Sequence, residues 1–152
     1  MLLHEILTAD RIRTPLAGTT KDEILRELVQ VLCEEGAEGD ADEVLRAVHA
    51  REAVLSTGVG SGVGIPHGRS DRVPALTMAA GVSARPVDFD ALDGQPCRLF
   101  FLLVGPEESA GEHVKALSRI SRLVRRDDVR AALAAAGSPA EFYALVEQAE
   151  QA

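Results

Sequence analysis

The residue types able to do chemistry concentrate between Ser56 and Gly68, where five glycines fall within thirteen residues. The stretch reads Thr57-Gly58-Val59-Gly60-Ser61-Gly62-Val63-Gly64-Ile65-Pro66-His67-Gly68-Arg69. A neutral imidazole is a good nucleophile near pH 7, so His67 is the residue here suited to carry a transferred group. Pro66 fixes its own φ, and Gly68 accepts backbone angles that other residues avoid. The ring is therefore expected at a strand end with little side-chain crowding. Glycine N–H groups can approach an anion closely, and together these features describe a place where a phosphoryl group can sit on His67. A structural turn carrying an exposed histidine fits the same residues, and residue chemistry alone favours it.

Known nucleotide and hydrolase patterns fail in this stretch. Gly-x-Gly-x-x-Gly is absent in every register, because its sixth position falls on Val63, Ile65 or His67. No Gly-Lys-Ser/Thr occurs, and Val59 stands where an esterase elbow around Ser61 needs a glycine. Among the other histidines, His4 and His49 read as solvated or partly packed. His113 follows Gly111-Glu112 in the first turn of the helix after the most apolar strand. Ligand crevices in α/β sheets lie at such strand ends, so His67 and His113 are able to converge, although an exposed first-turn histidine fits as well. A metal on that pair lacks a third Cys, His or well-spaced carboxylate, so none is expected. Arg51 ends a helix just before Ser56-Thr57-Gly58. It can reach a phosphate bidentately, or it can act as a cation on the helix dipole, which is the better local reading.

The elements that must position these residues are legible from periodicity. Thr20-Lys21-Asp22-Glu23 is a capping box that opens a helix carrying Ile24, Leu25, Leu28, Val31 and Leu32 on one face. Gly36 and Gly39 are expected to end it in a turn. A second helix starts at Asp40 to Glu43 with Val44, Leu45 and Val48 inside. The segment from Ser56 to Gly68 is too glycine-rich for a helix and too apolar for a linker, so short strands joined by tight turns are expected. Leu76 to Val82 reads as a strand. Val87 and Phe89 precede an Asp93-Gly94 turn. Leu99 to Val104 is a continuous apolar run, as in a central strand covered on both faces, and Gly105-Pro106 stops it. A helix follows with Val114, Leu117, Ile120, Ser121 and Val124 on one face, then a shorter one over Asp128 to Ala135. A last helix opens on the capping box Ser138-Pro139-Ala140-Glu141. This order predicts an α/β sandwich with helices on both faces of the sheet.

Composition narrows the function class. The chain has 152 residues, one domain's worth, with 46% hydrophobic and 26% charged residues, which excludes disorder as the main reading. Aromatics are only 3%, so the core must be built from Leu, Val, Ile and Ala. A net charge of −8 disfavours non-specific binding to DNA, RNA or an anionic membrane. Cys33 and Cys97 form no Cys-x-x-Cys, which excludes a metal ribbon or a thioredoxin-type site and suggests two buried free thiols in a reducing compartment. The N-terminus does not read as a signal peptide, and Leu99 to Val104 is too short to cross a bilayer. A cytoplasmic location is expected.

Taken together, Arg51-Glu52 and the run from Ser56 to Gly68 resemble the phosphorylation-site signature of phosphotransferase-system EIIA domains, in the fructose/mannitol/nitrogen-regulatory branch. The resemblance covers nearly the whole chain. It includes the capped N-terminal helix, Phe89-Asp90 before Asp93, the apolar central strand and Glu112-His113-Val114-x-x-Leu117. The chain departs from the pattern at Gly64, where alanine is commoner, and a looser backbone beside His67 is expected there.

The resemblance implies that residues 1–152 form a single EIIA domain, with a mixed β-sheet sandwiched between helices. His67 would be the phosphoryl acceptor, His113 the second active-site histidine, and Arg51 the arginine that closes over the phosphate. The implied function is a phosphocarrier, a phosphotransferase component that takes a phosphoryl group from phospho-HPr, or from its nitrogen-type homologue, and passes it to an EIIB domain of a sugar permease. It implies no cofactor, no metal, no nucleic acid and no direct membrane insertion. The alternative is a nitrogen-regulatory EIIA whose phosphorylation state controls protein partners rather than sugar uptake. A metal-binding or hydrolytic α/β domain using His67 and His113 is disfavoured by the failed motifs.

Overall fold

The structure, a computed structural model, describes residues 1–33 and 40–151. The expected turn at Gly36 and Gly39 lies outside the described residues. The chain runs through α1 (Leu3–Ile6), β1 (Ile12–Leu16), α2 (Lys21–Cys33), α3 (Ala41–Val54), β2 (Gly58–Gly60), β3 (Val63–Gly64) and β4 (His67–Arg69). It continues through β5 (Thr77–Val87), β6 (Cys97–Gly105), α4 (Ala110–Val124), α5 (Asp127–Ala134) and α6 (Pro139–Gln151).

The apolar run of β6 organises everything else. From Leu99 onward its side chains alternate between the two faces of the sheet, while Cys97 lies beside an irregularity in the pairing with β5. Leu99, Phe101 and Leu103 enter the core formed with α1, α4, α5 and α6. Cys97, Phe100, Leu102 and Val104 enter the core formed with α2 and α3. A strand buried on both faces needs no polar alternation, which is why the sequence shows an unbroken apolar run. The sheet is mixed. β5 pairs antiparallel to one edge of β6, and β1 lies parallel to β5. The other edge of β6 is shared, with Val63 of β3 opposite Leu99 and His67 of β4 opposite Leu103, both parallel. β2 closes that side as the antiparallel partner of β3. The fold is the expected α/β/α sandwich.

Three elements differ from the sequence reading, the first being the four-residue α1, for which the sequence shows no periodicity. β1 has no sequence signature, because Arg13 and Pro15 interrupt any apolar alternation. It pairs with β5 alone, and an edge strand tolerates a proline that a central strand does not. β5 runs to Val87, five residues beyond the expected Val82. Both capping boxes form. Thr20 Oγ1 accepts from the Glu23 N–H at 3.2 Å, and Ser138 Oγ accepts from the Glu141 N–H at 3.1 Å. In each, the glutamate reaches back to the residue before the cap, Thr19 N–H at 2.8 Å and Gly137 N–H at 2.7 Å. Cys33 and Cys97 are free and buried, and burial pushes the Cys97 thiol up to about 11. Among the described residues no helix is long and apolar enough to cross a membrane.

The contact between β1 and β5 depends on Gly81. A Cβ there would lie 2.6 Å from the Arg13 carbonyl oxygen and 2.7 Å from a Leu16 methyl. Gly111, in the first turn of α4, has nothing within 4 Å of the same point. Gly81→Ala is therefore expected to lower stability by about 1–3 kcal/mol through overpacking. Gly111→Ala is expected to leave stability unchanged or raise it by up to about 1 kcal/mol, through helix propensity. Urea unfolding of the two variants beside the parent chain checks both.

Candidate functional site

His67 opens β4, the short strand lying along the second half of β6. Its Nδ1 is 2.8 Å from the Ile65 carbonyl oxygen. A carbonyl can only accept, so Nδ1 carries the proton, and Nε2 keeps the lone pair. The ring is half-buried at the wall of a cleft of about 280 Å³, lined by Ala47, Arg51, His67, Gly68, Arg69, His113, Val114 and Leu117. The three residues singled out from the sequence thus share one cleft, although Arg51 comes from α3 and His113 from α4.

Gly68 is required here for a reason other than conformational freedom. A Cβ on it would lie 3.1 Å from the Val48 nitrogen and 3.2 Å from the Ala47 carbonyl carbon, so β4 lies directly on the backbone of α3. That contact brings the last turn of α3, and with it Arg51, over the histidine. The other glycines serve elsewhere. Gly60, Ser61 and Gly62 all have positive φ, at 109°, 58° and 79°, and form the tight turn between β2 and β3. The Asp93 carboxylate fastens this turn by accepting from the Ser61 N–H at 3.1 Å. The hairpin meets the beginning of β6, and the step from Leu99 to Leu103 separates it from His67 by about 13 Å of strand. Glycine N–H groups of the hairpin therefore do not cradle an anion on His67, contrary to the sequence expectation. Gly64 is also not a loosened point. It is buried and paired with Gly58 on one side and Phe100 on the other, and a Cβ would meet the Phe100 ring at 2.9 Å.

His113, in the first turn of α4, is buried at 4% exposure and meets His67 edge-on, with ring centroids 5.5 Å apart. The reading of an exposed first-turn histidine does not hold. Burial, and next the charges of His67 and Arg69, push its pKa down to about 4. Burial also lowers the pKa of His67, with Arg51 and Arg69 adding to the effect, while the Ile65 carbonyl and Glu52 oppose it. Both rings are consequently held neutral at pH 7. Arg51 takes up the helix-end role considered for it and also faces the cleft. Its Nη1 donates to the Leu55 carbonyl at 2.8 Å at the C-terminus of α3, while its charge lines the cleft. Arg69 adds a second guanidinium, paired with Glu107 at 3.3 Å.

His4 lies elsewhere, with Nδ1 3.0 Å from Glu150, and His49 pairs with Asp22 at 3.2 Å. Among the described residues no group of three or more His, Cys, Asp or Glu is placed to hold a metal. Sequence reasoning assigned no role to Glu52 or Thr57. Glu52 is buried and accepts from both the N–H and the hydroxyl of Thr57, at 2.9 and 2.6 Å. The only local signal was a Glu next to Arg51 and a Thr five residues on. Arg69 likewise gave no signal beyond its charge.

The depressed pKa values make a stability prediction. Between about pH 4 and the ordinary histidine value near 6.5, the unfolded chain binds protons that the folded cleft refuses. Stability therefore falls as pH drops through that window. His113→Asn removes its share of the loss. The stability difference between pH 7 and pH 5 should shrink in the variant, on the order of 1–2 kcal/mol, in denaturant unfolding at the two pH values.

Comparison with known proteins bears on this arrangement. The chain is 36% identical over 144 residues to a nitrogen regulatory protein of Pseudomonas aeruginosa, covering 95% of this chain and 94% of that protein. It is 34% identical over 148 residues to the fructose-specific EIIABC component of the phosphotransferase system of Bacillus subtilis. That match covers 97% of this chain, which spans only 23% of the Bacillus protein. The fold superposes on the crystal structure of the nitrogen regulatory protein IIA-Ntr from Neisseria meningitidis with a TM-score of 0.87 and 34% identity, covering 94% and 97% of the two chains. Residues 5–149 match the family described as phosphoenolpyruvate-dependent sugar phosphotransferase system, EIIA 2, and the chain belongs to that family.

Proposed function

We propose that the chain is a cytoplasmic phosphohistidine carrier, acting as one domain over residues 1–152, that receives a phosphoryl group from phospho-HPr on Nε2 of His67. The observation that carries this reading is the Nδ1–H bond from His67 to the Ile65 carbonyl. It leaves Nε2 unprotonated in a cleft that also holds Arg51, Arg69 and His113. In the transfer, the Nε2 lone pair forms the new N–P bond. The bond from phosphorus to the donor breaks, and its electron pair leaves with the donor. Nδ1 keeps its proton, and the Ile65 carbonyl supports the positive ring that results. Phosphoryl transfer asks a protein mainly for positioning and for positive potential around the equatorial oxygens. Arg51 and Arg69 supply that potential, and neutral His113 can donate one hydrogen bond from its protonated ring nitrogen.

The phosphoryl group then moves to an acceptor. For a sugar-uptake role this is an EIIB domain of a permease. In a nitrogen-regulatory role the phosphorylated state itself controls protein partners. Relatives of both kinds support the shared first step. Transfer of label from the phosphorylated chain to an EIIB domain favours the first role, and label retained in the presence of EIIB favours the second.

Incubation with phosphoenolpyruvate, enzyme I and HPr is expected to label the chain with phosphate that is stable to base and lost in acid. His67→Ala should abolish the label while leaving the fold intact. Arg51→Ala should slow loading on the order of 10²-fold, as loss of a charge-stabilising donor does. His113→Ala should still load but alter onward transfer or hydrolysis. Label that persists in His67→Ala, or that survives acid, overturns the assignment.

A further inference from the structure

Glu52 is an unusual residue to find nearly out of reach of water beside a phosphorylation cleft. A buried carboxylate stays charged only when its partners replace the solvent it has lost. Glu52 has three such partners. Lys21 Nζ lies 2.8 Å from Oε1, the Thr57 N–H donates to Oε1 at 2.9 Å, and the Thr57 hydroxyl donates to Oε2 at 2.6 Å. Burial would raise its pKa, but these donors outweigh it and hold the carboxyl below the usual range.

The chain of contacts does not stop at Thr57. Its carbonyl accepts from the Ile65 N–H at 2.9 Å. The carbonyl of that same Ile65 takes the Nδ1 proton of His67 at 2.8 Å. A charge-held clamp on one end of Ile65 thus sets the position of the oxygen at its other end. We infer that Glu52 and Thr57 are positioning residues for His67: they fix Ile65 so that its carbonyl selects the Nδ1–H tautomer and leaves Nε2 as the nucleophile. Neither residue touches the phosphoryl group. Glu52 also follows Arg51 directly, so one turn of α3 supplies the guanidinium to the cleft and the carboxylate to the clamp. Lys21 anchors the clamp from the first turn of α2, where it also reaches Asp90 at 3.5 Å and lies over the Phe89 ring.

This inference rests on the reading of His67 as phosphoryl acceptor, but the tautomer can be measured without any donor. The experiment uses the full chain with ¹⁵N-labelled histidine, the His67 signals being assigned through His67→Ala. In the parent protein above pH 7, Nδ1 of His67 should show the shift of a protonated nitrogen and Nε2 that of an unprotonated one. Thr57→Val keeps the side-chain shape and removes the hydroxyl. Its two nitrogen shifts should move toward each other, with loading from phospho-HPr about tenfold slower at saturating donor and the half-saturating donor concentration unchanged. Thr57→Ser restores the hydroxyl and should restore both shifts and rate. Glu52→Gln retains one acceptor oxygen and should fall between the parent and Thr57→Val. Amide spectra establish that each variant is folded.

If Thr57→Val is not folded, Glu52→Gln alone decides, since its intermediate shifts and rate are required in any case. Folded variants that keep the parent tautomer overturn the inference, whether or not loading slows. A mixed tautomer in the parent protein does the same. A parent chain that shows the expected tautomer, with the shifts lost in Thr57→Val, yet takes no label from phospho-HPr, removes the acceptor reading and leaves the positioning role standing.

Discussion

The hydrogen bond from His67 Nδ1 to the Ile65 carbonyl is the contact on which the site depends. An imidazole has two nitrogens, and its use as a nucleophile requires that one be protonated and the other aimed. A carbonyl two residues upstream makes that choice with no second side chain. It works only if Ile65 is itself immobile, and the surrounding structure provides this. Ile65 is buried in the core beneath α4, its N–H is bound to Thr57, and the next residue is a proline. Its neighbours in sequence are strands tied to β6 on either side, Gly64 opposite Phe100 and His67 opposite Leu103. The apolar central strand is thus the rail along which His67 is placed.

Electrostatics complete what the backbone begins. The cleft holds two arginines, the half-buried His67 and the buried His113, an arrangement that resists protonation of either ring. Under the proposed function, in which His67 attacks an anion-bearing phosphorus, this has two benefits. The attacking nitrogen stays neutral, and the positive potential it would lose by being neutral is supplied by guanidiniums that cannot give up their protons. The overall charge of −8 is no obstacle to this, since the local field is set by Arg51 and Arg69 within the cleft.

The sequence disclosed the parts of this design that depend on local pattern. The apolar run of β6, the two capping boxes and the placing of His67 between Pro66 and Gly68 are each encoded within a few consecutive residues. What it hid depends on contact at long range. Gly68 looked like a residue needed for its backbone freedom, and only the packing of β4 on α3 shows that it is a point of close approach. Gly60 and Gly62 looked like an anion cradle, but register along β6 carries their turn away from His67. Glu52 looked like an ordinary acidic residue on a helix, because burial is not visible in a residue's type. β1 was masked by Arg13 and Pro15, residues that an edge strand accommodates. The strand-end rule allowed His67 and His113 to converge, and the family pattern added Arg51, which no local reading supplies, since α3 and α4 lie on opposite faces of the sheet.

The claim that the Ile65 carbonyl selects the nucleophilic nitrogen is tested most directly by locating the phosphorus. The chain, labelled with ¹⁵N in its histidines, is phosphorylated through enzyme I and HPr and examined by ³¹P–¹⁵N correlation at alkaline pH, where the N–P bond survives. The expected result is a single phosphohistidine at His67 with phosphorus bonded to Nε2. Phosphorus on Nδ1 of His67, or on any other residue, would contradict it.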